Sequence, residues 1–99
     1  MNMQALMRQA QNLQKDMLKT KEEIDKMEFI AESSFVSVKV NGKKEVLKVS
    51  IKPDADFDIS DMEILEELIQ VAVNDALKQV DKITEKKMGK YTSAMPGLF

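Results

Sequence analysis

Apolar and polar positions divide the chain into three rhythms. In the first, Met3, Leu6, Ala10, Leu13, Met17, Thr20, Ile24 and Met27 recur at alternating steps of three and four. That is a heptad stripe interrupted only by Thr20, and it predicts an amphipathic helix over residues 3–27. The filling residues are mostly Gln, Lys, Glu and Met, all good helix formers, and no Gly or Pro occurs before Gly42. Met7 and Leu18 widen the stripe. Such a helix is about 38 Å long at 1.5 Å per residue.

The second rhythm has period two. Val36, Val38 and Val40 alternate with Ser37, Lys39 and Asn41, and Leu47, Val49 and Ile51 alternate with Lys48, Ser50 and Lys52. Each run predicts a strand with one buried face. Asn41-Gly42 between them is a strong hairpin signal. A two-residue loop there would mix the faces, whereas a loop of Asn41 to Lys44 pairs Val38 with Leu47 and Val36 with Val49 and keeps the apolar face whole. Phe29 to Ser33 is a candidate third, short strand, so that the sheet occupies residues 29–52.

The third rhythm is helical again. Met62, Leu65, Leu68, Ile69, Ala72, Val73, Ala76, Leu77, Val80 and Ile83 form one stripe. Ser60 with Glu63 three residues on has the capping-box pattern, and Gly89 after Lys86 and Lys87 has the pattern of a helix end. The expected helix covers 61–88, about 42 Å, with a loose tail over 90–99. The expectation is therefore one α+β domain over 1–99, in the order α-β-β-β-α with two or three antiparallel strands. A compact domain of this size is roughly 34 Å across, shorter than either helix. The helix ends must protrude, and so small a sheet leaves apolar surface that a two-fold related copy would cover, with Val36, Val38, Val40, Leu47, Val49 and Ile51 as core or dimer residues.

Composition narrows the chemistry. Hydrophobic content of 43% and charged content of 32% suit a folded soluble chain. There is no Cys and no His, so thiolate chemistry and the commonest general base and metal ligand are missing. No Gly-rich phosphate cradle or nucleophile elbow is visible, and an enzyme is not expected. Asp54, Asp56 and Asp58 alternate as in a calcium loop, but Ile59 and Leu65 stand where that loop needs Gly and Glu, so no metal is expected. No cofactor and no small-molecule substrate are indicated. No apolar run is long enough for a membrane span, and the N-terminus lacks the unbroken apolar segment of a secretory signal, which leads us to expect a cytoplasmic protein.

Charge is unevenly placed. The net charge is −2, yet residues 53–85 carry −8, and the flanking blocks 1–27, 28–52 and 86–99 carry +1, +2 and +3. If the two helices run antiparallel, Arg8 and Lys15 approach Lys86, Lys87 and Lys90, and the protruding tips are basic while the body is acidic. Lys19 belongs to the same helix, and Lys43 and Lys44 mark the strand turn. These eight side chains are the candidate contacts to a phosphate backbone, a mode of binding that is salt-dependent and largely blind to sequence. The plain alternative is that lysines on an exposed strand face keep the sheet soluble and its edge unpaired.

Taken together, a Met- and Gln-rich first helix, VSVKVNGKKEVLKVSIKP, LEELIQVAVNDALKQVDKITEKKMGKYT and a final MPGLF resemble the YbaB/EbfC family of bacterial nucleoid-associated proteins over nearly the whole chain. The most specific segments are Val38 to Val46, Ala72 to Ala76, Met88-Gly89-Lys90 and Pro96-Gly97. The resemblance implies a homodimer with protruding helices that binds double-stranded DNA with little sequence preference, on the nucleoid, in nucleoid organisation or gene regulation. Two positions depart from the family's habit: Ala31 to Phe35 (AESSF) replaces a glycine-rich stretch, and Lys44 stands where glycine is common. The other reading is a non-enzymatic interaction module whose helices clamp a protein partner, which the acidic pI near 5.2 favours.

Overall fold

The computed structural model describes residues 2–52 and 57–94. Helix α1 (Met3–Asp25) leads into strands β1 (Glu28–Ser33), β2 (Val36–Asn41) and β3 (Val46–Ile51), then a short 3-10 turn (Ile59–Asp61) and helix α2 (Met62–Ala94). This is the α-β-β-β-α order expected, with all three strands present. The sheet is antiparallel with β2 in the centre. The molecule measures 70 × 19 × 14 Å, with a radius of gyration of 19.6 Å. A compact domain of this length has a radius near 13 Å, so the helices extend well beyond the sheet.

The core is where two periodicities meet. Phe29 and Ala31 of β1 stand opposite Val40 and Val38 of β2 on one face. Helix α2 covers that face with Leu65, Ala72, Ala76 and Val80. The two alanines let the helix lie close to the sheet. Val36, Val38 and Val40 are fully buried, and each contributes about 1.5–3 kcal/mol through removal from water.

A second, smaller cluster lies on the part of the molecule that protrudes. There α1 and α2 run antiparallel as a limb, with Met17 and Ile24 packed against Met88 and Tyr91. Ile83 touches both clusters and joins them. The Tyr91 and Thr20 hydroxyls are hydrogen-bonded at 3.3 Å, which explains why the one polar residue in the stripe of α1 is tolerated.

Three sequence expectations need correction. Gly89 does not end α2, which continues through residues 90–94. A glycine inside a helix costs about 1 kcal/mol relative to alanine, and burial of Met88 and Tyr91 on either side of it outweighs that. Residues 95–99 of the expected tail lie outside the described residues, as do Asp54 and Asp56. The N-terminal cap is Asp58, not Ser60: its carboxylate accepts from the Ile59 N–H at 2.6 Å, and Asp61 reaches back to the Asp58 N–H at 3.0 Å. Finally, the strand pairing is two residues from the one expected. Val38 stands opposite Val49 and Val36 opposite Ile51. Glu45 adds one residue to the loop, and a bulge at Leu47, between the Lys39–Lys48 and Val40–Val46 pairs, adds another. The combined slip of two keeps Val49 and Ile51 on the face of Val38 and Val36, and before the bulge Val46 takes the place opposite Val40.

Both departures from the family's glycine habit fall where the backbone is left-handed. Among the described residues, Ser34 and Lys44 are the non-glycine residues with positive φ, 53° and 65°. A side chain in the left-handed region costs about 1–2 kcal/mol that glycine does not pay. Replacing Ser34 with Gly, at the tight β1–β2 turn, is expected to stabilise the fold by about 0.5–1 kcal/mol after glycine's extra chain entropy is subtracted. Thermal melts would register this as a rise of a few degrees, and a fall would show that Ser34 holds the turn through its side chain. At Lys44 the strain is partly offset by an ion pair with Asp81 at 2.6 Å.

Candidate nucleic-acid interface

The limb carries cations outside the ion pairs of the described residues, as the sheet and its turn do at Lys43, Lys48 and Lys52. On α1, Arg8, Lys15 and Lys19 fall on one face, since steps of seven and four return to nearly the same side of a helix. On α2, Lys86, Lys87 and Lys90 occupy the stretch that crosses α1. Among the described residues, the ion pairs are Lys39 with Glu28 at 3.7 Å and Lys44 with Asp81. Neither involves the six limb cations, so their charge is available to an outside anion. The Lys90 ammonium lies 5.0 Å from the Tyr91 ring centre, within cation–π range.

The structure spreads these cations rather than gathering them. The Thr20–Tyr91 bond sets the antiparallel register of the helices. Lys90 is therefore level with α1 near Lys21, and Lys86 lies level with Asp25. Arg8 lies about 18 Å beyond Thr20 along α1, past the described end of α2. The cations fall on separate faces: Arg8, Lys15 and Lys19 form a strip on the side of α1 turned away from α2, since Met17 and Ile24 face α2, and Arg8 and Lys15 lie past the described end of α2. Lys43 and Lys44 sit at the base of the limb, on the β2–β3 turn that meets the end of α1, and Lys44 is already paired. Tyr91, the aromatic nearest the strip, is buried and cannot stack on a base.

The turn that carries Lys43 is held by close backbone contact. The Gly42 N–H donates to the Met27 carbonyl at 3.0 Å. A Cβ on Gly42 would run into the Ile24 carbonyl group and stand 2.9 Å from Asp25 Cα. Asn41 closes the loop, with its side-chain oxygen accepting from the N–H groups of Lys43 and Glu45 at 2.9 and 3.0 Å. Between this turn, the end of α1 and α2 lies an open cleft of about 870 Å³ with Ile24, Val80 and Met88 on its floor and Lys21, Lys43 and Glu85 on its rim. Sequence periodicity had no means of showing this cleft, because it arises from how the turn meets both helices.

The six residues expected in the core or at a dimer contact divide into two sets. Val36, Val38 and Val40 are buried, but Leu47, Val49 and Ile51 are 48, 43 and 44% exposed in this chain. The cause is the path of α2, which crosses β1 and β2 and leaves β3 uncovered. Val46 is exposed beside them, so β3 is an edge strand with an open apolar face. Among the described residues no group of acidic side chains is placed to hold a metal. No described helix is long and apolar enough to cross a membrane.

The molecule is thus an elongated α-β-β-β-α chain whose two-helix limb carries cations outside the described ion pairs. The YbaB/EbfC DNA-binding family model matches residues 1–95, and the chain belongs to that family. A nucleoid-associated protein of Lactococcus lactis is 44% identical over 98 residues, covering 97% of this chain and 98% of its own length. Another from Clostridium novyi is 45% identical over 103 residues, covering 100% of this chain and 90% of its own. The crystal structure of an uncharacterised Helicobacter pylori protein superposes with a TM-score of 0.70 at 22% identity, covering 87% of this chain and 91% of that one. It has the same fold.

Proposed function

We propose that this chain is a non-enzymatic, homodimeric nucleoid-associated protein that binds double-stranded DNA with little sequence preference and organises the nucleoid or regulates genes in the cytoplasm. The observation that carries the reading is the presence of Arg8, Lys15, Lys19, Lys86, Lys87 and Lys90 on the two limb helices, outside the ion pairs of the described residues, in a chain of net charge −2. Cations left unpaired in an acidic protein suit a polyanion, and family membership makes that polyanion DNA. None of the six is placed to read base edges, so affinity rests on phosphate contacts. Lys43 and Lys44 are auxiliary contacts at most, since they sit at the base of the limb and Lys44 is paired with Asp81. A gel-shift titration with random-sequence duplex at two salt concentrations tests the reading. Binding that weakens steeply with salt supports it, and no binding at low salt by folded protein rejects it.

The second copy belongs on β3. Val46, Leu47, Val49 and Ile51 present a row of apolar side chains beside an unpaired strand edge, a surface that a soluble protein rarely leaves open. Two such faces related by a two-fold axis cover each other and point the limbs outward. Replacing Val49 and Ile51 together with Lys is expected to convert the dimer to monomer in light scattering, with helical circular dichroism retained. A dimer that survives the change would move the interface elsewhere.

The cleft between the limb and the turn favours a second reading, in which the helices clamp a protein partner. Its apolar floor has no use for phosphate, and its rim carries both signs of charge. Salt separates the two readings, since a partner seated on Ile24, Val80 and Met88 would stay bound at salt concentrations that release DNA.

A further inference from the structure

The apolar stripe of α1 continues past the point where α2 covers it. Met17 and Ile24 are buried against α2, but Met3, Leu6 and Met7 are 73, 43 and 59% exposed, and Ala10 is exposed with them. At about 100° per residue, these four side chains lie within an arc of about 100° that runs on into Met17. Arg8, Lys15 and Lys19 are centred about 150° away, on the far face. The shoulders of the seam are Gln4 and Gln11 on one side and Gln9 on the other, all uncharged.

We propose that this seam pairs with the same seam of a second copy, α1 against α1 in antiparallel sense, about a two-fold axis near Leu6 and Met7. A two-fold contact sets each group beside its own kind, so charged shoulders would repel. Glutamine shoulders do the opposite, because a side-chain amide both donates and accepts. An acidic amphipathic helix of another protein fits less well, since no cation flanks the seam to receive its carboxylates. Phosphate has no use for Met3, Leu6 and Met7 either. The seam is also continuous with the α1–α2 packing described above, and methionines adapt readily to a facing helix.

The pairing turns Arg8, Lys15 and Lys19 outward on both copies. It is separate from the β3 face, at the other end of a molecule 70 Å long. A chain with one self-contact at its sheet and another at its limb tip links copies in series. The seam spans only two turns of helix, which makes the contact weak between free molecules. It strengthens when both partners are held on neighbouring DNA segments, through effective concentration, a consequence that rests on the DNA-binding reading. The contact itself does not.

The test needs no DNA. The chain has no cysteine, so Met7→Cys places a single thiol at the axis and Asn12→Cys places one on the far face. Under mild oxidation of the full-length protein, Met7→Cys is expected to form disulfide-linked dimers at least tenfold faster than Asn12→Cys. Adding Leu6→Gln to Met7→Cys should abolish the difference. In sedimentation equilibrium, the Val49→Lys/Ile51→Lys protein should keep a concentration-dependent association that Leu6→Gln/Met7→Gln removes. Equal cross-linking from Met7→Cys and Asn12→Cys, or association indifferent to Leu6→Gln/Met7→Gln, overturns the pairing. Leu6 and Met7 lie outside both buried clusters, and if Leu6→Gln nonetheless disturbs the fold, the comparison of the two single-thiol proteins decides alone.

Discussion

A Gly42→Ala protein is expected to lose about 3 kcal/mol of stability, a large share of the roughly 5–15 kcal/mol that a domain of this kind possesses. One methyl group has this effect because its neighbours are backbone, not side chain. The Ile24 carbonyl group and Asp25 Cα occupy the space a Cβ would need. They belong to the last turn of α1 and cannot rotate aside. Relief requires the β2–β3 turn to lift, and lifting breaks the bond from the Gly42 N–H to the Met27 carbonyl and disturbs the Lys44–Asp81 pair. Urea denaturation should show a lower midpoint with an unchanged slope. A midpoint within experimental error of the parent would mean that the turn has room the structure does not show.

The second large effect is on DNA. If the six limb cations each neutralise one phosphate, affinity for random-sequence duplex should fall about 10³-fold between 50 and 200 mM salt. Replacing Lys86, Lys87 and Lys90 with Glu should reduce the salt slope by about three units and weaken binding uniformly across sequences. The same replacement should lower thermal stability only modestly, through loss of the Lys90–Tyr91 contact, since none of the three lysines takes part in an ion pair among the described residues. An unaltered slope would show that the phosphate contacts lie elsewhere, while an unaltered slope together with weaker binding would point to a change in the protein. Lys43 and Lys44 provide an internal comparison: reversing Lys44 should affect stability through Asp81 more than it affects DNA.

Much of this architecture is legible in the residues themselves. The stripe from Met3 to Ile24, the alternation of Val36, Val38 and Val40, and the stripe from Leu65 to Ile83 each state an element and the face it buries. What escaped was decided by contacts between elements. The apolar period of Leu47, Val49 and Ile51 predicts a buried face, but whether α2 covers it depends on where α2 crosses the sheet, and it crosses too far towards β1. Gly89 has the sequence of a helix end, and only the packing of Tyr91 on Thr20 and Met17 shows why the helix continues. Asn41-Gly42 correctly signals a turn. The role of Gly42, however, is to let the turn touch α1, which no local rule supplies. The limb cations are visible as residues, yet their spread along the limb follows from the register of α1 on α2, a distance fixed by one hydroxyl pair.

Helix α2 belongs to both halves of the molecule. It forms the roof of the sheet from Leu65 to Val80 and half of the limb from Met88 onward, without a break. A continuous helix is a stiff beam, so the limb has no hinge of its own and its direction is set by the sheet beneath it. Inserting one residue between Val80 and Met88 would swing everything beyond it by about 100°. Geometry is thus stored in chain length: in the proposed dimer the spacing of two such beams would be set by the sheets and not by any joint within the limbs.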